Sequence, residues 1–245
     1  DGTLRLGAGN STLFPGTSAL VLDAGATLDL NGKNQIINGI SGLGMVNNST
    51  TSAVTFTIGS ANGGGTFTGS IQNSGGGAVS LVKTGTGSIT LNGQNTYAGA
   101  TTISQGTLLL NFTNGPINVR NNILPATALT LGSATLNVTG QVNTSSINAQ
   151  SFSGTTLSGG ATITTAGTTP AVTINLGAIT RNAGSGLAIN LGTSPGAPSG
   201  TFTTTANTGT SILGGWAVQG ATVPTTWAVS GVSPLASTCT KARPA

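Results

Sequence analysis

The sequence has no histidine, and its 245 residues include three acidic and seven basic side chains. Charged residues make up 4% of the chain, against about a quarter in an ordinary globular protein. The groups that usually move protons in an active site are therefore nearly absent, and most enzymes are excluded. A single cysteine, Cys239, rules out an intramolecular disulfide framework and a multi-cysteine metal cluster. No apolar run approaches the roughly 18 residues of a spanning helix, so the chain is not expected to be membrane-spanning. Aromatic residues are 4% of the chain, which leaves Leu, Ile, Val and Ala to build a thin core.

The net charge of +4 reflects a shortage of acids. Arg5, Lys33, Lys83, Arg120 and Arg181 are isolated from one another, and Lys241 and Arg243 lie in a Pro-containing tail. No basic patch results, and no nucleic acid partner is expected. Disorder is disfavoured as well, because disordered segments pair low hydrophobicity with high net charge, whereas mean hydropathy here is +0.22.

What is present is alternation. Thr3-Leu4-Arg5-Leu6, Thr27-Leu28-Asp29-Leu30, Val54-Thr55-Phe56-Thr57-Ile58, Ser88-Ile89-Thr90-Leu91 and Val172-Thr173-Ile174-Asn175-Leu176 put apolar residues on one face and Thr, Ser or Asn on the other. That is the period-2 signature of half-buried strands. No segment reads as helix. Asn31-Gly32, Gly63-Gly64-Gly65, Gly75-Gly76-Gly77 and Asn92-Gly93 supply turns between the strands. Two halves are suggested by paired segments: Gly2–Leu6 with Gly106–Leu110, Thr17–Leu22 with Ala126–Leu131, and Ala53–Gly59 with Ala171–Gly177. The reading is all-β, a right-handed parallel β-solenoid with about 20 residues per turn. Repeats of β-sandwich type are the alternative that alternation alone leaves open. The expected division is a first solenoid unit over residues 1–110, a diverged second unit over 111–212, and Trp-containing strands with a tail over 213–245.

One segment is far more specific. Residues 81–110 run Leu81-Val82-Lys83-Thr84-Gly85-Thr86-Gly87-Ser88-Ile89-Thr90-Leu91-Asn92-Gly93, then Gln94-Asn95-Thr96-Tyr97-Ala98-Gly99, and end at Gly106-Thr107-Leu108-Leu109-Leu110. This stretch resembles the autotransporter-associated β-strand repeat of bacterial secreted and surface proteins, with Asn95, Thr96, Tyr97 and Gly99 as its core. The resemblance implies a β-helical passenger, secreted, extracellular or at the cell surface of a bacterium, with no catalytic residues and no cofactor. The family's membrane barrel has no counterpart after Trp227, so a released or stand-alone passenger is expected. Gly85, Gly87, Gly93 and Gly99 are expected to allow close rung-to-rung approach, and Tyr97 to supply a large side chain with a polar tip to the core.

Asp23 and Asp29 are the carboxylates nearest each other in sequence, as paired acids of a polysaccharide-cleaving site would be. Both sit on a polar strand face with no histidine to assist them. Calcium would want several carboxylate oxygens, and the glycine-rich Asp repeats of calcium-binding β-rolls are absent. The chain is therefore read as a non-enzymatic extracellular structural protein with no metal site. Its first expected partner is a copy of itself, joined head to tail into fibres or a matrix through Leu4, Leu6, Trp216 and Trp227. The alternative is a monomeric adhesin-like passenger binding polysaccharide, glycans or a cell surface.

Overall fold

The computed structural model describes residues 2–7, 14–113, 122–141, 148–166, 172–191, 193–194, 197–198, 200–204, 217–219 and 226–227. Among these residues there is no helix, and the strands stack in parallel as a β-solenoid. The outcome follows from alternation combined with frequent corner residues: each short strand buries one face, turns, and is covered by the next turn of chain.

Three faces run the length of the coil. The first contains Gly2–Arg5, Ala26–Asp29, Met45–Asn47 and Ser70–Gln72, then Asn148–Ser151, Val172–Asn175 and Gly200–Thr203. Two intervening passes, at 95–97 and 122–124, are not regular strand but keep the column continuous. Thr96 N donates to Ile71 O, Asn95 N to Ile123 O and Asn122 N to Ala149 O. The second face contains Gln35–Ile37, Val54–Ile58 and Val79–Lys83, the first part of Thr101–Asn111 and of Ala128–Thr139, then Gly154–Leu157 and Ala178–Arg181. The third runs from Ala19–Leu22 through Gly39–Gly42, Gly65–Phe67 and Ser88–Leu91, then along the later parts of the two long strands to Gly160–Ala166, Gly186–Leu191 and Ala217–Gln219. Antiparallel pairing occurs at Thr193–Ser194 with Ala197–Pro198, and at Ala217–Gln219 with Thr226–Trp227.

Register places like on like. On the third face Ile89, Leu108, Leu136, Ile163 and Ile189 form one inward column, and Phe67, Leu91, Leu110 and Val138 form another. All of these side chains are buried. On the second face the inward column reads Ile37, Ile58, Lys83, Ile103, Leu131 and Leu157, a lysine in a stack of aliphatics. Turn length is not fixed at 20: one turn takes Thr27 to Met45, another Val172 to Gly200. The corners absorb the difference, because each turn packs mainly on its neighbours.

The segments that look duplicated in sequence lie on different faces. Gly2–Arg5 is on the first face and Gly106–Leu110 on the third, while Val54–Ile58 is on the second and Val172–Asn175 on the first. Every half-buried strand shares the same alternation, so similarity of pattern does not fix the side of the coil. The glycines of residues 81–110 behave as expected. A Cβ at Gly85, Gly87, Gly93 or Gly99 would run into the carbonyl oxygen of Gly59, Asn62, Gly69 or Val79, respectively, each in the preceding turn.

Candidate functional site

The side chains with the most specific surroundings are buried at the corners, where they tie one turn to the next. Asn48 is fully buried. Its Oδ1 accepts from Gly32 N at 3.0 Å in the turn before, and its Nδ2 donates to Gly77 O at 2.8 Å in the turn after. Asn95 does the same within the repeat segment. Its Oδ1 accepts from Ile71 N at 2.9 Å, and its Nδ2 donates to Gly93 O at 3.0 Å and Ile123 O at 2.8 Å. Gln150 mimics a peptide group, accepting from Leu124 N at 3.1 Å and donating to Leu124 O at 3.0 Å. A side-chain amide suits this work because it carries donor and acceptor together, and buried backbone groups at corners need both.

Tyr97 is fully buried, and its hydroxyl shares a 2.6 Å hydrogen bond with Thr101 Oγ1. Burial raises its pKa well above the ordinary phenol value, against the smaller opposing effect of the Thr101 bond. The hydroxyl is therefore a neutral structural anchor, set in a core built mainly of Leu, Ile, Val and Phe. Lys83, which the sequence shows only as an isolated base, is 0% exposed. Its Nζ donates to the carbonyl oxygens of Thr84, Gly85 and Gln105 at 2.6, 2.9 and 3.4 Å. Desolvation pushes its pKa down from the ordinary lysine value.

Asp29 is held by partners from both neighbouring turns. It is 5% exposed, with Arg5 Nε 3.3 Å from its Oδ2. Its oxygens also accept from Ser49 Oγ at 2.7 Å, Ser49 N at 3.1 Å and Asn31 N at 3.0 Å. Burial alone would raise the carboxyl pKa; the Ser49 and Asn31 bonds and the Arg5 charge outweigh it and hold the pKa below the usual carboxylate value. A depressed pKa stabilises the fold above the unfolded value of about 3.9, and the contribution is lost as pH falls through the folded value. Asp29→Asn is expected to cost about 1–2 kcal/mol at neutral pH and to flatten the acid limb of a Tm-against-pH profile. An unchanged acid limb would show that another group governs it.

The described part of the outer surface carries few charges. Between Lys33 and Arg181, the one charged side chain among the described residues is the buried Lys83. On the second face Thr57, Val82, Thr102, Thr130, Thr156 and Thr180 stand in register along the outside. Val21 and Leu43 are the most exposed large apolar residues described, and Leu43 borders a groove of about 170 Å³ between Gly25–Thr27, Gly44–Met45 and Ser70. No lining residue of the groove titrates. Among the described residues no cluster of histidine, cysteine or acid groups could hold a metal.

Of the residues expected at an assembly interface, Leu4 is 50% exposed at one end of the inward column Leu4, Leu28, Val46 and Ile71, and Leu6 is fully buried. The backbone of Trp227 pairs with Val218, while Trp216 and Cys239 lie outside the described residues. Alternation could not reveal the role of Lys83 or Asn95, since both occupy corners or inward positions that the pattern reserves for apolar residues.

Residues 81–110 match the passenger-associated-transport-repeat family. The curated "Adhesin BmaC autotransporter" of Brucella suis biovar 1 (strain 1330) is 41% identical over 106 residues, or 37% of this chain, and the chain spans about 3% of that relative's length. No solved structure matches. The side chains that lock the corners of residues 81–110 thus lie within the stretch that matches this repeat, and the likeness is to repeat-bearing proteins that bacteria secrete or hold at their surface.

Proposed function

We propose that the chain is a non-enzymatic stretch of an adhesin-type passenger, whose uncharged faces meet carbohydrate or another cell surface. The observation that carries this reading is the 41% identity to an adhesin autotransporter over 106 residues. The outer surface supports it. Threonine hydroxyls in register and the absence of described surface charge between Lys33 and Arg181 suit a neutral polyhydroxyl surface better than an anionic one. The comparisons favour this reading over head-to-tail assembly into fibres, for which exposed Leu4 is the one described side chain in support.

The test is retention of the labelled chain on intact cells and on immobilised neutral and sulfated glycans, at about 0.15 M and 1 M salt. Saturable retention that survives high salt is expected, because exposed charge pairs are screened beyond about 8 Å at physiological salt and neutral contacts are not. Retention on the sulfated glycans alone, lost at high salt, would overturn the neutral-surface reading. No retention on any surface would remove the adhesin reading itself.

A further inference from the structure

We infer that the corner after Val79–Lys83 is a primary-ammonium-binding nest, with the Lys83 side chain as its tethered occupant. Lys83 stands in register with Ile58 on one side and Ile103 on the other, where the column otherwise holds aliphatic residues. Its three hydrogen bonds go to the carbonyls of Thr84, Gly85 and Gln105, so two successive turns of chain aim oxygens at one nitrogen. Among the described residues the recorded ion pair is Arg5 with Asp29, and no carboxylate partners Lys83.

Convergent carbonyl dipoles place partial negative charge at one point. A primary ammonium answers them with three N–H donors, whereas a quaternary ammonium has none. Space is made on the neighbouring turn by Gly59, where a Cβ would lie 3.1 Å from Nζ and 3.3 Å from Cδ. The nest is independent of any adhesive ligand, since Lys83 is wholly enclosed.

Truncation to alanine removes three carbons and the nitrogen, the outline of n-propylammonium. The experiment therefore measures Tm of the Lys83→Ala chain in n-propylammonium, tetramethylammonium and sodium chloride at equal ionic strength. Propylammonium is expected to restore a saturable part of the lost Tm, and the other two salts are not. Equal effects of the three salts, or no effect of propylammonium on a folded variant, would overturn the nest. Lys83→Met is the second variant: it keeps the stem without the donors, and a Tm equal to that of the original chain would show that no ammonium is needed. If neither variant folds, the unaltered chain decides. A slowly exchanging, NMR-visible Lys83 ammonium near neutral pH supports the proposal, and exchange as fast as that of Lys33 overturns it.

Discussion

Replacing Gly85 by alanine is expected to destabilise the coil by about 3 kcal/mol, with Tm falling roughly 6–12 °C. Two costs combine. Gly85 has φ +64°, a conformation that costs an L side chain about 1 kcal/mol. The added Cβ would also overlap the carbonyl oxygen of Gly59, which belongs to the turn below and cannot retreat without breaking rung spacing, at a further 1–3 kcal/mol or so. Gly76 separates the two contributions. It too has positive φ, at +88°, but nothing lies within 4 Å of a Cβ built there, so Gly76→Ala should cost only the conformational part. Thermal unfolding of the two variants side by side checks this, and equal losses would show that close approach contributes nothing.

The second large effect is expected at Asn95. Asn95→Leu keeps the branched outline but leaves Ile71 N and Gly93 O without their side-chain partner, and removes one of the bonds to Ile123 O. Each buried group so stranded costs about 1–3 kcal/mol, giving a total of about 3 kcal/mol or more. The loss should be local, since turns of a solenoid interact mainly with their neighbours. Hydrogen exchange reads it directly: the Ile71 amide should lose protection first, together with residues 95–97 and 122–124, while the column Leu136, Ile163 and Ile189 keeps its own. Uniform loss of protection would mean that the coil opens as one unit. Asn95→Asp keeps the acceptor for Ile71 but loses both donors, so it should spare the Ile71 amide and weaken the contact to Ile123.

Much of the fold was legible because alternation and glycine-rich corners are local signals. Ser88–Leu91 buries Ile89 and Leu91 as the spacing requires, and the glycines of residues 81–110 sit against the preceding turn. Which face a strand joins was not legible, because Gly2–Arg5 and Gly106–Leu110 obey the same period on different sides. The polar interior was hidden for a different reason. Lys83, Asn48 and Asn95 read as surface residues by type, and only the folded corners show the backbone groups that call for them. Asp29 likewise gives no sign in sequence of Arg5 and Ser49, which reach it from adjacent turns.

The hydrogen bonds between parallel turns point along the axis of the coil, from Gly2–Arg5 through to Gly200–Thr203. A pull between the two ends therefore loads them one rung at a time rather than all at once. Such a body behaves under tension as a brake: it yields in small steps, each turn releasing its length of chain and relaxing the load before the next gives way. The asparagines that reach into both neighbouring turns, Asn48 and Asn95, are where that progress would pause.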